Sequence, residues 1–214
     1  MGHITKELPW CVIDIDTTTG QVFLQERWAY TWLIGSGQPA WTEAEKTSFH
    51  NAADKAIWNA WSNRVKLTVT GASSFARNMS GSQLPINLDI RRVVTNNHWS
   101  VRVTKIASTS FARSSVIWSS RIITLDTNDT AVRVVNSTRP KNRQTPVAHE
   151  FGHAAGNTSV LGRGDEYPAT STHRTDFTSI MNQGSQLRKR HFNTIVLELN
   201  KMIPDTIFAV GKIS

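Results

Sequence analysis

Cysteine is nearly absent from this chain, which has one cysteine, Cys11, among 214 residues. A single thiol cannot form an intrachain disulfide, so the fold depends on its core rather than on cross-links. Structural zinc sites are usually rich in cysteine ligands, so the composition also disfavours that class of site. Cys11 lies between Trp10 and Val12 in an apolar run, which predicts a buried, unreactive thiol.

Long apolar runs and low-complexity tracts are absent as well. No stretch of about 18 residues is apolar enough to predict a membrane span, and no Gly/Ser-rich or Pro-rich tract marks a linker. We therefore predict one domain over residues 1–214, with an N-terminal subdomain over about 1–156 and a C-terminal one over about 157–214. Residues 1–6 lack the apolar segment of a signal peptide. We expect secretion or delivery out of the producing cell without a conventional signal peptide, removal of a leader, or excision from a larger polypeptide.

Acidic residues are fewer than basic ones, which gives a net charge of +8 from 24 Lys+Arg and 16 Asp+Glu. Such a charge suits an acidic partner, for example nucleic acid, an anionic membrane surface or a bacterial wall polymer. The basic clusters at residues 139–143 and 188–191 have no interleaved aromatic residues, and the chain carries no recognised nucleic-acid fold signature. Nucleic acid is therefore a disfavoured partner.

The most informative segment is the HExxH motif His149-Glu150-Phe151-Gly152-His153. On a helix, residues i and i+4 lie on one face, so both imidazoles can bind one ion. The glutamate beside the first histidine is placed to act on a water molecule at that ion. Thr145-Pro146 supplies an N-cap hydroxyl and a proline at the first helical position, and Gly156-Asn157 is a C-terminal stop. These signals predict a short helix around the motif.

A catalytic zinc ion normally takes three protein ligands and leaves one position for water. The HExxHxxG stretch from His149 to Gly156 resembles the opening of the metzincin zinc-peptidase motif, in which a third histidine or aspartate returns to the metal. The strict metzincin spacing puts that ligand at Ser159, a poor zinc ligand, so the strict pattern fails here. We predict Asp165 instead, because it lies in a glycine-flanked turn and Tyr167 follows it, as a tyrosine follows the aspartate ligand in the similar aspzincins.

Other residues remain open as the third ligand, and Asp165-Glu166 can also be interpreted as a solvated acidic turn. Glu166 is the second choice. Behind it stand two histidines further along the chain, His173 and His191.

The segment after this turn also resembles a metzincin. Thr178-Ser179-Ile180-Met181-Asn182 is similar to the Met-turn, which places a methionine beneath the metal site. Apolar residues then recur at three- and four-residue spacing over residues 186–203, which predicts a C-terminal helix ended by Pro204. The order of HExxH helix, turn and last helix agrees with the family.

The N-terminal part predicts strands around a long helix. Thr42-Glu43-Ala44-Glu45 is a capping box that opens a helix to about Asn63. Strand-like runs cover residues 10–15, 22–32, 65–70, 84–94, 99–106, 115–125 and 131–136. The prediction is an α+β fold of the zincin or metzincin-like type, with a mixed twisted sheet, a backing helix, an active-site helix and a C-terminal helix.

The resemblance implies a zinc-dependent metalloendopeptidase that binds Zn²⁺ through His149, His153 and Asp165. Glu150 is the expected general base for a zinc-activated water. Tyr167 is the first candidate for the oxyanion donor, because Tyr30 is far away in sequence, and His173 and Arg174 are the alternatives. The segment is similar to metallopeptidase toxin or effector domains of bacteria. We expect a monomer whose partners are a protein or peptide substrate and a cognate inhibitor or immunity protein.

Two other functions stay open. A zinc amidase that cleaves peptidoglycan crosslinks would use the same site, and the basic charge would help it bind an anionic wall. A metal-stabilised binding module for an acidic partner such as nucleic acid would use the motif only to hold the fold.

Overall fold

The computed structural model describes residues 2–139 and 141–213, and its elements alternate between strands and helices. In chain order they are β1 (His3–Glu7), β2 (Val12–Asp16), β3 (Val22–Ile34), α1 (Glu43–Trp61), β4 (Val65–Gly71), α2 (Ser74–Asn78), β5 (Leu84–Arg92), β6 (Trp99–Lys105), β7 (Ser115–Ile117), β8 (Ile122–Asp126), β9 (Arg133–Val134), β10 (Arg143–Gln144), α3 (Pro146–Ala154), α4 (Asn193–Leu199) and β11 (Thr206–Ile213). Short 3-10 turns occur at Trp118–Ser120, Ser159–Leu161 and Lys189–Phe192. The chain is α+β, as predicted.

One mixed, twisted sheet is the framework of the described chain. Its strand order is β11-β4-β5-β3-β6-β8-β7, and the β1–β2 hairpin joins it through β3. The central strand β3 runs parallel to β5 along its first half and parallel to β6 along its second half. At one edge, β7 pairs antiparallel with β8, so the other side of β7 is left without a strand partner within the described sheet.

Helix α1 covers one face of the sheet because its apolar residues recur every four positions. Phe49, Ala53, Ile57 and Trp61 are all buried, which is the spacing expected of a helix face that meets a core. The predicted capping box is confirmed, since Thr42 accepts from the backbone of Glu45 and the Glu45 side chain returns to the backbone of Thr42. The predicted helix from residue 42 to about 63 is therefore confirmed within two residues of its end.

Helix α3, which carries the HExxH motif, is buried against α1. Trp61 Nε1 donates to the backbone oxygen of Ala148 at 2.9 Å, and the rings of Trp61 and Phe151 lie 5.8 Å apart. The predicted helix is confirmed, with Pro146 in its first turn. The expected N-cap hydroxyl bond is wrong, because the Thr145 side chain makes no capping hydrogen bond. Tertiary contacts hold this helix end instead, including the bond from Val147 N to the backbone oxygen of Asp129.

Several predicted elements are shorter or divided. The predicted strand over residues 115–125 is a hairpin of β7 and β8, because Arg121 adopts a left-handed conformation between them. The run at residues 131–136 keeps only the two-residue strand β9. The predicted C-terminal helix over residues 186–203 is reduced to a 3-10 turn and α4. Its first residue, Gln186, instead exchanges backbone hydrogen bonds with Thr178 and Ile180.

Strand β11 follows Pro204 and was missed from the sequence. It pairs antiparallel with β4 over residues that alternate between buried and exposed. Asn200, just after α4, accepts from Phe208 N at 2.6 Å and so ties the helix end to this strand. Strand β1 and helix α2, each five residues long, were missed as well. Within residues 2–139 and 141–213, none of the helices combines the length and the apolar character needed to cross a bilayer.

Gly152 in α3 provides a test of this packing. A Cβ atom there would lie 2.5 Å from Met181 Sδ and 2.8 Å from Trp61 Cζ2. A glycine-to-alanine change inside an ordinary helix stabilises a protein by about 1 kcal/mol. We expect Gly152→Ala to lower the free energy of unfolding by about 1–3 kcal/mol, because overpacking outweighs helix propensity. Urea denaturation measures this change, and a stabilised variant would contradict the packing described here.

Candidate metal centre

Three side chains converge at one end of a cavity beside α3. His149 and His153 lie four residues apart on one face of the helix, and Asp165 reaches them from the loop that follows. Asp165 Oδ1 lies 3.2 Å from His149 Nε2 and 3.2 Å from His153 Nε2. The three ligand atoms lie within 4.8 Å of one another, so the group could hold a metal ion.

Two backbone carbonyls orient the imidazole rings. His149 Nδ1 lies 2.6 Å from the backbone oxygen of Ile180, and His153 Nδ1 lies 2.6 Å from that of Asn157. A carbonyl oxygen only accepts, so each Nδ1 must carry a proton and donate it. In the neutral rings, each Nε2 then presents a lone pair toward Asp165. This second-sphere arrangement is the usual one for histidine ligands to a metal.

The convergence of these acceptors suits positive charge between them. Two lone pairs and a carboxylate oxygen repel one another unless each ring takes up a second proton or one metal ion lies among them. Ligand atoms at about 2.0–2.1 Å from a tetrahedral zinc ion lie about 3.3 Å apart, which is close to the 3.2 Å from Asp165 Oδ1 to each Nε2. The donor set of two imidazoles and one carboxylate therefore fits zinc and leaves a fourth position open.

The pKa of Asp165 is lowered and the pKa of His149 is raised, as expected for a carboxylate beside imidazole rings. Burial acts to raise the pKa of Asp165, but its bonds to His149 and His153 hold that pKa well below its usual range. Burial acts to lower the pKa of His149, but Asp165 and Glu150 together raise it. The carboxylate is therefore ionised and attracts positive charge to the site.

A turn brings Asp165 to the helix. The chain leaves α3 through Gly156, whose φ of +102° lies in the region that favours glycine. A Cβ atom at this position would also lie 2.6 Å from Thr194 Cβ. After the 3-10 turn Ser159–Leu161, Arg163 N donates to the backbone oxygen of Thr158 at 2.9 Å. Two residues further on, Asp165 faces the two histidines.

Met181 packs against helix α3 at Gly152, and its expected position beneath the metal site stays a prediction. Its side chain is buried and close to Gly152. The surrounding turn closes with a bond from Asn182 N to the backbone oxygen of Ser179, and Glu166 N donates to the backbone oxygen of Met181 at 2.8 Å. The turn therefore supports both the motif helix and the loop that carries Asp165.

Gln144 belongs to the same support, and the sequence interpretation missed it. It is buried just before α3, where its Nε2 donates to the backbone oxygens of Ile180 at 2.8 Å and Gly184 at 3.1 Å. The carbonyl of Ile180 thus meets both Gln144 and His149. A single glutamine two residues before a proline carries no spacing signal, so the sequence offered no means of finding this role.

The alternative third ligands are placed elsewhere. Glu166 accepts from Arg190 at 2.6 and 2.8 Å, and His191 Nε2 lies 3.3 Å from the same carboxylate. Burial acts to raise the pKa of Glu166, but these partners lower it. His173 lines the cavity yet lies outside the three-residue group that could hold an ion. Of the candidates, the structure brings only Asp165 to the two histidines within the described chain.

The Tyr167 side chain contacts Asp165, the predicted third metal ligand. Its hydroxyl donates to Asp165 Oδ2 at 2.7 Å, and an Arg113 nitrogen lies 3.4 Å from the same hydroxyl. Burial and then Asp165 raise the pKa of Tyr167 to about 12. A phenol has one proton to donate, and here that proton orients the carboxylate.

The oxyanion role of Tyr167 stays a prediction. Of its alternatives, His173 lines the cavity, and Arg174 lies outside the lining residues of the described chain.

The Glu150 side chain lines the cavity beside His149 and His153. The cavity has a volume of about 850 Å³ and is lined by Glu150 together with all three residues of the metal group. The Glu150 side chain is 5% exposed, and its carboxylate hydrogen-bonds to no residue among 2–139 and 141–213. A buried acid with unused oxygens beside a metal group is available to accept a proton.

Comparisons with family models, with curated proteins and with solved structures found no match for this chain. The function therefore has to be inferred from the arrangement of the site itself.

Metal analysis tests the ligand group. We expect the purified chain to bind one zinc ion per molecule, and we expect Asp165→Ala to lose it because two imidazoles alone hold zinc weakly. Atomic emission after gel filtration measures the zinc content. Glu198→Gln is the matched control, because this acid pairs with Lys6 and Lys201 outside the cavity lining and should leave zinc binding intact. Equal zinc content in Asp165→Ala would mean that another residue completes the site.

Tyr167→Phe separates the two roles of the phenol. Loss of the hydroxyl that orients Asp165 should weaken zinc affinity by about 10-fold or more, measured by competition with a chelating dye. An oxyanion donor that contributed nothing to the ligand would leave this affinity unchanged and affect only turnover.

Proposed function

We propose that this chain is a zinc-dependent metallopeptidase of the zincin type. The observation that carries the proposal is the convergence of His149, His153 and Asp165 in one cavity beside Glu150, whose carboxylate has no partner among the described residues. Three protein ligands with an open fourth position are typical of catalytic zinc, whereas structural zinc sites are closed by four. The arrangement therefore favours an enzyme over a metal-stabilised binding module.

A zinc ion held by these residues would supply Lewis acidity, which polarises a carbonyl and lowers the pKa of a water molecule toward neutrality. Glu150 accepts the proton of the attacking water at its carboxylate and passes it to the leaving amine. Arg113 and Tyr167 line the cavity and are the candidate donors to negative charge on the carbonyl oxygen. For Tyr167 this requires that the hydroxyl leaves Asp165.

The edge of the sheet supports a peptide substrate. Residues Arg113, Ser114, Ser115 and Val116 line the cavity, and the last two belong to β7, which has no strand partner on its outer side in the described sheet. An extended peptide can pair with such an edge through main-chain hydrogen bonds. This would lay its backbone along the cavity that holds Glu150.

Peptidoglycan crosslinks are the second candidate substrate, because they are also peptides and the net charge of +8 suits an anionic polymer. Turnover of purified sacculi compared with turnover of casein separates the two. A toxin or effector role and delivery outside the producing cell stay predictions from the resemblance.

The Glu150→Gln variant tests the proposal. Glutamine keeps the shape of the side chain but cannot accept the proton, so we expect hydrolysis of casein to fall by about 10²- to 10⁴-fold while zinc content is unchanged. Lys55→Gln, on the exposed side of α1 and away from this cavity, is a suitable control with normal turnover. Full activity in Glu150→Gln would contradict a peptidase mechanism based on this residue.

A further inference from the structure

Arg163 lines the same cavity as Glu150 and Asp165, and its side chain is held in place. Its Nη2 donates to Thr194 Oγ1 at 2.6 Å, and Thr194 Oγ1 donates in turn to the backbone oxygen of Gly156 at 2.9 Å. Thr194 lies in α4 and is buried. The guanidinium group is therefore anchored between two elements rather than free in solvent.

The environment of Arg163 differs from that of comparable arginines. Each of the other partly buried arginines in residues 2–139 and 141–213 contacts a carboxylate or an aromatic ring: Arg27 with Glu7, Arg133 with Asp129, Arg188 with Asp176, Arg190 with Glu166, Arg121 with Trp118 and Arg139 with Phe177. In that described part, Arg163 has neither kind of partner. Its Nε is buried and has no hydrogen-bond acceptor. A partly buried cation without a counter-ion is costly for a fold, so an anion from outside the chain is the natural partner.

The acids of the cavity are already engaged. Asp165 faces the two histidines, Glu166 is paired with Arg190 and His191, and Glu150 is the proposed base. Arg113 also lines the cavity and forms no ion pair within the described residues, so it adds positive potential. The cavity lining therefore includes two arginines, Arg163 and Arg113, that have no ion-pair partner within the described residues.

We propose that Arg163 binds a carboxylate of the peptide substrate, so that the enzyme selects peptides with an acidic group in this cavity. The inference rests on the proposed function, because it names the substrate class of the same site. A guanidinium group binds carboxylates through strong charge-assisted hydrogen bonds and in a defined plane. The carboxylate is either an Asp or Glu side chain or the C-terminus of the peptide.

Binding of short peptides to the Glu150→Gln protein tests the inference without hydrolysis of the probe. Three fluorescent peptide sets are compared by anisotropy: peptides with one glutamate and an amidated C-terminus, the same peptides with glutamine, and the glutamine peptides with a free C-terminus. We expect one of the two acidic sets to bind about 10-fold tighter or more than the amidated glutamine set. The set that does so identifies the source of the carboxylate.

Substitution of Arg163 assigns the preference to this residue. With Glu150→Gln, Arg163→Met should remove the preference, and Arg163→Lys should retain part of it because the charge remains and the planar fork is lost. Arg102→Met is the matched control, since Arg102 is exposed on β6, lies outside the cavity lining and carries the same charge. The readout is a ratio of two affinities on one variant, so a partly unfolded sample does not alter it.

The outcomes are distinct. Equal binding of acidic and neutral peptides, a preference that survives Arg163→Met, or an equal loss in Arg102→Met would each overturn the inference. An Arg163-dependent preference in a protein that cleaves no peptide would support carboxylate binding and contradict the proposed function. Peptide cleavage without any preference for acidic peptides would support the proposed function and contradict carboxylate binding by Arg163.

Discussion

The site depends on two hydrogen bonds that backbone carbonyls accept from imidazole rings. Ile180 and Asn157 take the Nδ1 protons of His149 and His153, and this leaves both Nε2 lone pairs directed at the Asp165 carboxylate. Asp165 Oδ1 can lie 3.2 Å from each of these nitrogens when positive charge, from a metal ion or from added ring protons, offsets the repulsion. The metal group is thus defined by the hydrogen-bonding partners of its histidines as much as by the histidines themselves.

The segments that supply the backbone carbonyls of Ile180 and Asn157 are held in place by contacts with the rest of the fold. The turn around Met181 is tied to Gln144, to Glu166 and to Gln186. The pairs from Arg188 and Arg190 to Asp176 and Glu166 hold the loop that carries Asp165. Helix α3 itself rests on Trp61 of α1. Loss of any of these supports would move the acceptors apart, which explains why so much of the polar structure around the cavity is buried and bonded.

The arginines around the cavity divide into two kinds. Arg190 is neutralised by Glu166 and Asp176 and serves the loop, whereas Arg163 is anchored by a hydroxyl and keeps its charge. The same residue type therefore has a structural role in one case and a free charge in the other. The difference lies in the partner each one meets, and sequence position does not reveal it.

Local patterns determined the elements whose signals lie within one segment. The HExxH helix followed from its proline and glycine ends, and α1 followed from its capping box, because these signals involve neighbours in the chain. Elements that depend on distant partners were misjudged. The predicted C-terminal helix does not include Gln186, which pairs with the turn around Met181, and β11 pairs with the distant strand β4.

The sequence by itself determined the two histidines and the glutamate of the motif, since a helix places residues four apart on one face. For the third metal ligand, the sequence left four candidates, which are Asp165, Glu166, His173 and His191. Tertiary structure alone brought Asp165 to the histidines and paired Glu166 with Arg190, because adjacent carboxylates in a turn face different surroundings. It also decided that the Tyr167 hydroxyl donates its proton to Asp165 and that the Arg163 guanidinium has no counter-ion within residues 2–139 and 141–213. Both outcomes depend on how the folded chain arranges the surroundings of each side chain.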